Sequence, residues 1–510
     1  MRTRDPGLYR PGGVLFAACA ALFMVVVDVT VLHVAAPSIS DALNPSNAEL
    51  LWIVDIYPLV IAPLLLVAGV AGDRYGRRAA LMIGLVFFGA ASIPAAFATG
   101  PLTLILARAA MAVGAAMIMP STMSLVRVAY PDRDARLRAV GIWSAVSASG
   151  AAIGPLVGGL LVEYFWWGAV FLINVPLALG VLIAVWRLVP ESRSEADLTL
   201  DGLSSVLSIV AILALVYAIK HVARSGPDLA AAAALVAAVA AGAWFVRRQL
   251  NRQRRGVEPL LNVHLFRSGS FTIAVLGVLL AMFSIVGLDL LLAQYLQNIL
   301  GLSPIVAALW LAPMAVATVV GALLAHRFVH RFGSRAAIAC GLGVAGLALI
   351  PLLKLDATPR LVMFILSLSL AGLVFDLTVV ASNDIIISAV PEDYVGQAAG
   401  VEEVAYDLGS GLGIAVLGSI LAVAYQARFT PVPGLDPVRF DAARDSLHGA
   451  EVVAAQSDPA LADRIYSEAA AAFLSGLHAA ISVSIGVLLV AAVAAFVFIK
   501  PGRSPVDHTA

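Results

Sequence analysis

The chain has 510 residues, 61% of them hydrophobic and only 13% charged, with a mean hydropathy of +0.96. Soluble globular chains are roughly 45–50% apolar and about 25% charged. This composition therefore excludes a disordered chain, a nucleic-acid binder and a soluble enzyme on a single membrane anchor. Lys+Arg and Asp+Glu number 32 each, so the informative question is where the charges sit.

A bilayer-crossing helix needs about 20 mostly apolar residues. In chain order fourteen such runs occur: 14–36, 50–72, 79–98, 102–126, 138–161, 168–190, 202–221, 228–247, 271–298, 304–330, 336–354, 360–387, 395–425 and 472–499. The first is too long for a secretory h-region and carries Asp28, so it reads as retained. With both termini cytoplasmic, 23 of the 32 basic residues fall in inner loops, the asymmetry expected of a multi-pass protein. Cys19 and Cys340 lie inside apolar runs and point to neither a disulfide framework nor a thiolate metal site. No cofactor and no metal is expected.

The chemistry-bearing residues punctuate these spans. Asp28 lies in the first, and Trp52 and Asp55 lie three apart in the second. A turn, Gly72-Asp73-Arg74-Tyr75-Gly76-Arg77-Arg78, joins spans two and three; Asp73 with the arginines can form a charge-relay clasp. Its plainer reading is a basic turn that sets topology. Arg108 is the one basic residue inside a span; a buried arginine normally faces a partner or a cavity, and Asp28 is the expected partner. Span five carries Gly141, Gly150, Gly154-Pro155 and Gly158-Gly159, small residues that allow close helix approach with a proline that bends the helix.

The turn recurs 257 residues later as His330-Arg331-Phe332-Gly333-Ser334-Arg335, with Gly341 in register with Gly84. Two copies of like orientation indicate two six-helix halves. The predicted organisation is residues 1–190 as the first bundle, 191–270 as a linker with spans seven and eight, and 271–510 as the second bundle. The second bundle includes a long outer loop, 426–471, read as a short amphipathic lid or a tether.

On these residues the chain resembles the major facilitator superfamily, specifically its fourteen-spanner drug:proton antiporters. The 72–78 turn resembles the family's motif A, and the span-five glycines match its antiporter motif C. Arg108 sits in a partial motif B, with Met111 and Ala112 where the family has glutamine and glycine. Trp52-Ile53-Val54-Asp55-Ile56-Tyr57, Ser382-Asn383-Asp384 and Glu402-Glu403-x2-Tyr406-Asp407 look like the QacA and LfrA type of quaternary-ammonium and dye exporters. The resemblance implies an all-α polytopic protein with the major facilitator fold, two six-helix bundles plus two inserted helices, acting as a transporter and not an enzyme.

Eight acids lie within the spans: Asp28, Asp55, Asp289, Asp376, Asp384, Glu402, Glu403 and Asp407. Each ionised acid in a span costs on the order of 2.5–3.5 kcal/mol, so they line a wet cavity or are partly protonated. For any single acid, a satisfied helix–helix hydrogen bond is the plainer account. Glu403 with Asp407, and Glu402 with Tyr406, are four apart on α-helical faces; a carboxylate beside an aromatic suits a lipophilic cation.

The expectation is a bacterial inner-membrane exporter, a monomeric transport unit among membrane lipids, that exchanges protons for lipophilic cations. Asp28 and Arg108 are assigned to proton coupling. Trp52, Asp55, Asp289, Asp376, Glu402, Glu403, Tyr406 and Asp407 are assigned to substrate. Asp73, Arg74, Gly76, Arg77, Arg331 and Gly333, with the span-five motif, are assigned to gating. The rivals are a dedicated exporter of one endogenous product and, more distantly, a non-transporting membrane scaffold.

Overall fold

The computed structural model describes residues 11–43, 45, 47–193, 201–226, 228–257, 259–302, 304–391 and 394–499. Described residues form helices joined by short turns. In the first half these are α1 (Pro11–Leu43), α2 (Asn47–Tyr75), α3 (Arg77–Ala96), α4 (Pro101–Ala129), α5 (Arg133–Tyr164) and α6 (Ala169–Leu188). The inserted pair is α7 (Gly202–Ser225) and α8 (Leu229–Arg254). The second half begins with α9 (Gly269–Gln294), which ends in a π-helical turn, Tyr295–Ile299.

Pro304–Ala348 runs as one helix broken at Gly333, whose φ of 79° lies outside helical space. Its limbs are α10 (304–332) and α11 (334–348). Gly76, with φ 119°, makes the equivalent break between α2 and α3. An L side chain is strained at such φ values, so the repeated turn needs its glycine in both copies. Then follow α12 (Leu361–Ser388), α13 (Val395–Arg428), two short helices α14 (Pro437–Asp445) and α15 (Leu447–Ala455), and α16 (Pro459–Phe498).

Among the described residues, thirteen segments are long and apolar enough to cross a membrane. One of them, Val306–Lys354, holds both limbs at Gly333, which restores the fourteen crossings expected. Several boundaries differ from the sequence reading: α1 runs on to Leu43, not 36, and α8 to Arg254, not 247, and two starts move. α5 begins at Arg133, not 138, because Asp132 caps it by accepting from the Ala135 N–H at 2.8 Å. α16 begins at Pro459, not 472, with Asp458 accepting from Leu461 N–H.

The two halves repeat their packing. Within the first, α5 lies on α1 through Gly150, Gly154 and Gly158, where a Cβ would meet Val26, Thr30 and Val31 respectively. Within the second, α13 lies on α9 through Gly409 and Gly413, where a Cβ would meet the Leu279 and Phe283 carbonyls. Gly159 has no such close neighbour, so it takes no part in that contact. Small-residue interfaces of this kind replace the hydrophobic effect as the packing force in lipid.

Between the halves the same symmetry holds: α2 packs on α13, and α5 packs on α10. Gly141 of α5 faces Ala322 of α10, where a Cβ would come 2.5 Å from its carbonyl oxygen. Gly69 of α2 and Gly396 of α13 meet backbone to backbone. These contacts lie toward the end of the bundle that carries the two repeated turns, the basic end. The inserted helix α7 packs across the α2–α13 seam, with Val216 against Leu59, Ala62 and Leu408.

Candidate functional site

Arg108, on α4, is 1% exposed, and Asp28, on α1, is 0% exposed. The expected salt bridge between them does not form. Asp28 Oδ1 instead accepts from Asn174 Nδ2 of α6 at 2.6 Å. The Arg108 guanidinium lies over two rings, 5.1 Å from the Tyr57 centroid and 5.9 Å from that of Phe171. Three elements thus converge on Arg108, and the aromatic quadrupoles supply attraction that a desolvated cation needs. Asp28 stays within Coulombic reach of the guanidinium.

The second-half acids gather on α12 and α13. Glu402 and Glu403 are buried, as is Asp376. Glu402 Oε2 accepts from Asn383 Nδ2 of α12 at 2.7 Å. The expected pairing of Glu402 with Tyr406 is therefore replaced: Tyr406 sits within Coulombic reach of Asp376, Glu403 and Asp407. Glu403 and Asp407 act on one another as their spacing predicts. Tyr57, buried in α2, feels both Asp28 and Asp407, so one phenol stands between the first-half cluster and the second-half acids.

Asp289 is exposed along the wall of a largely apolar pocket between α9, α10, α11, α12 and α16, with Ser284, Met314, Phe375 and Thr378 beside it. It is thus apart from the α13 acids. Trp52 is 44% exposed at the other end of α2 from the 72–78 turn. The Asp55 side chain lies outside the described residues.

At the basic end the halves are pinned twice. Asp73 accepts from Arg77 Nε at 2.9 Å and crosses the seam to accept from the Gly396 and Gln397 N–H groups at 2.7 and 3.2 Å. It therefore caps the N-terminus of α13, where partial positive charge favours a carboxylate. The second pin joins α5 to α12: Asp384 accepts from Arg133 Nη2 and from Ser334 Oγ, both at 2.7 Å, with Arg136 Nη2 at 3.9 Å. Arg74 and Arg331 stack on their neighbours Tyr75 and Phe332 instead of joining either pin.

A strap after α6 holds the first turn. Arg77 N–H donates to the Ser192 carbonyl at 2.8 Å, Arg78 Nη2 to the Trp186 carbonyl at 2.8 Å, and Arg78 N–H to Glu191 Oε1 at 3.2 Å. Burial pushes the Glu191 carboxyl above the ordinary glutamate range, against the pull of the Ser192 and Arg78 N–H groups. The linker before α9 is tied down as well. Gln397 Nε2 donates to the Leu260 carbonyl at 2.5 Å, and Leu260 N–H donates to Gln249 Oε1 at 2.8 Å.

The segment 426–471 forms a helical cap at the end of the bundle away from the two repeated turns. Tyr425 Oη donates to the Ala443 carbonyl at 2.9 Å, and Glu468 Oε1 accepts from Thr430 N–H at 3.0 Å.

Sequence reasoning missed Tyr57, Asn174, Asn383 and Arg133 as members of these sites. A single amide in an apolar span is the available signal for Asn174 and Asn383, since a buried amide needs a partner.

The two-half helical arrangement agrees with comparison to known proteins. The Major Facilitator Superfamily profile matches residues 18–414. The chain is 39% identical over 476 residues to the multidrug efflux pump LfrA of Mycolicibacterium smegmatis, covering 93% of each. It is 36% identical to the methyl viologen resistance protein SmvA of Salmonella typhimurium, covering 92% of this chain and 94% of that one. To the tetracenomycin C resistance and export protein of Streptomyces glaucescens it is 32% identical, covering 95% and 91%. The fold is shared with the human organic anion transporter MFSD10, at a TM-score of 0.63 and 13% identity over 96% of this chain and 100% of that one. The proton:xylose symporter XylE matches at 0.61 and 15% identity over 96% of each. Two pseudo-symmetric six-helix bundles, their repeated glycine turns and these matches give one conclusion: this multi-pass membrane protein belongs to the Major Facilitator Superfamily of transporters.

Proposed function

We propose that the chain is a proton-coupled efflux antiporter that exports lipophilic cations, with its basic end facing the cytoplasm of a bacterial cell and its fourteen helices in the inner membrane. The observation that carries this reading is the set of buried carboxylates, Asp28, Asp376, Glu402 and Glu403, with Arg108 buried beside Asp28 and Tyr57 and Tyr406 close to the acids. Carboxylates in such a site hold either a proton or an organic cation, because ionising them without a counter-charge is costly. Aromatic rings beside them add cation–π attraction for a cation too large to be hydrated tightly.

The names of two relatives, a multidrug efflux pump and a methyl viologen resistance protein, support a drug exporter with cationic substrates. In the proposed cycle, the cation displaces protons from the acids on the cytoplasmic side and leaves them ionised. The pins of Asp73 and Asp384 then close that side, and proton binding displaces the cation outward. Glu402, Glu403 and Asp407 balance substrate charge together with Asp376; Asp55 and Asp289 are further acids on the cation's route, and Trp52 offers it a cation–π face at the far end of α2. Asp28, oriented by Asn174 and faced by Arg108, carries the coupled proton. Moving one net charge across the membrane is worth about 2.3 kcal/mol per 100 mV, so a one-for-one exchange of a monovalent cation is driven by the pH gradient alone.

The test is ethidium movement in proteoliposomes under an imposed pH gradient, with Asp28→Asn and Glu403→Gln beside the wild type. Gradient-driven accumulation by the wild type and its loss in both variants is expected. No gradient-driven movement of any lipophilic cation would overturn the reading. The tetracenomycin relative supports a second reading, export of one endogenous product, which predicts transport that a panel of unrelated cations fails to inhibit.

A further inference from the structure

The last turns of α12 carry two adjacent polar residues that hold different parts of the molecule. Asn383 is 2% exposed and spends its amide N–H on Glu402 Oε2 at 2.7 Å. Asp384, 4% exposed, accepts from Arg133 Nη2 and Ser334 Oγ at 2.7 Å each. Arg133 belongs to α5 in the first half, so Asp384 is the pin of the α5–α12 latch. Arg136, one turn further along α5, lies 3.9 Å from Asp384 and donates to Ser388 Oγ at 3.1 Å. Arg127 stands within Coulombic reach of Arg136. A single peptide bond therefore separates the residue that reads a transport-path carboxylate from the residue that holds the halves together.

Both residues lie inside continuous helix, which runs on to Ser388. Consecutive helical positions differ by about 100° and 1.5 Å, so Asn383 and Asp384 point to different neighbours but move as one body. The hydrogen bond from Asn383 ties this turn to α13, one residue before the carboxylate that meets Arg133 and Ser334. An amide donates more strongly to a carboxylate than to a carboxylic acid.

We propose that Asn383 is a positioning residue that senses the protonation of Glu402 and transmits it through Asp384 to the α5–α12 latch. This rests on reading Glu402 as a proton-exchanging carboxylate of the transport path. While Glu402 is ionised, with or without a cation at its other oxygen, Asn383 holds the turn and the latch stays shut. When Glu402 takes up a proton, the bond weakens, the turn is released and Asp384 gives up Arg133. The basic end then opens only after the proton has replaced the cation, which is the order an exporter needs. On α13 the titratable neighbour of Glu402 is Glu403, which in turn faces Asp407. Among the described residues, no charged side chain of α2, α4, α7, α9 or α16 forms a hydrogen bond or ion pair with it.

The experiment places spin labels at Arg138→Cys on α5 and Phe332→Cys on the α10–α11 turn, in a Cys19→Ala, Cys340→Ala background. It measures their distance in nanodiscs as pH is lowered, with ethidium binding measured by fluorescence anisotropy on the same samples. The unsubstituted latch is expected to be closed at high pH and open at low pH, with ethidium keeping it closed. Asn383→Leu, of similar volume, is expected to lower the closed-to-open ratio at high pH about tenfold, the scale of one hydrogen bond to a charged group. Ethidium affinity is expected to change much less than this ratio, and Asn383→Gln to restore part of the pH response.

Glu402→Gln, whose amide oxygen accepts from Asn383 more weakly than a carboxylate does, is expected to shift toward the open state and to lose most of the pH response. An Asn383→Leu protein that opens and closes with pH as the wild type does would overturn the proposal. So would a Glu402→Gln protein that switches with pH as the wild type does, a result independent of how well Asn383→Leu folds. A wild type that switches with pH but binds no ethidium would sink the cation reading alone and leave the coupling intact.

Discussion

Arg108 is held by chemistry that charge alone does not supply. A guanidinium is planar and weakly hydrated, so it can lie against Tyr57 and Phe171 at once; an ammonium is a compact, strongly hydrated point charge. Arg108→Lys, which keeps the charge, is therefore expected to reduce dye efflux at least tenfold, a cost on the order of 1.4 kcal/mol for lost stacking at a desolvated site. Efflux by Arg108→Lys cells equal to that of the wild type would contradict the stacked geometry. At this scale the acids were legible from sequence, because a carboxylate in an apolar span is expensive wherever it points. Their partners were not. Periodicity puts Glu402 and Tyr406 on one face of α13, but the carboxylate turns instead to Asn383 on another helix, and no pattern within α13 encodes that choice. Asp28 and Arg108 were correctly brought to one cluster, while Asn174 took the hydrogen bond assigned to the arginine.

The helices meet where side chains are absent. A methyl group at Gly396 would enter the Gly69 carbonyl, so Gly396→Ala is expected to push α13 off α2 and weaken the Asp73 cap. Overpacking of this kind costs roughly 1–3 kcal/mol. Crosslinking of a cysteine pair across the α2–α13 seam at the basic end should slow, while crosslinking across the α5–α10 seam should change less. Unaltered crosslinking at both seams would show that the close approach is not needed.

The inserted pair has its own tie, Asp201 at the start of α7 to Arg248 of α8 at 2.7 Å. Hydrogen bonds from Arg248, first, and from Ser204 pull the Asp201 carboxyl down to about 2. A carboxyl lowered on folding adds stability above its ordinary range and loses it as pH falls through the folded value. The melting temperature should therefore drop more steeply between about pH 4 and pH 2 in the wild type than in Asp201→Asn. Parallel curves would remove the tie from the account.

Element ends explain most of what sequence reading misplaced here. Asp132 ahead of α5, Asp436-Pro437 ahead of α14 and Asp458-Pro459 ahead of α16 are cap and first-turn signals. They lie beyond the apolar runs, where hydropathy is silent.

Across the whole molecule, the fourteen crossings and the two-half plan were readable because lipid imposes length and the 257-residue repeat imposes symmetry. The repeat is less equal than its sequence suggests. In the first half the turn acid Asp73 reaches across to α13, whereas its counterpart His330 lies 3.2 Å from Asp134 on α5, and Asp384 of α12 provides the second pin. The pins lie at one end and the buried acids in the middle, joined on α12 by Asn383 and Asp384. The central claim is that one set of carboxylates holds either protons or the cation. Proton release when ethidium is added to the purified protein in weakly buffered nanodiscs tests it most directly. Release that rises with bound ethidium, and falls in Glu403→Gln and Asp28→Asn, is the predicted result. Ethidium binding with no proton release at any pH where the protein stays folded would contradict it.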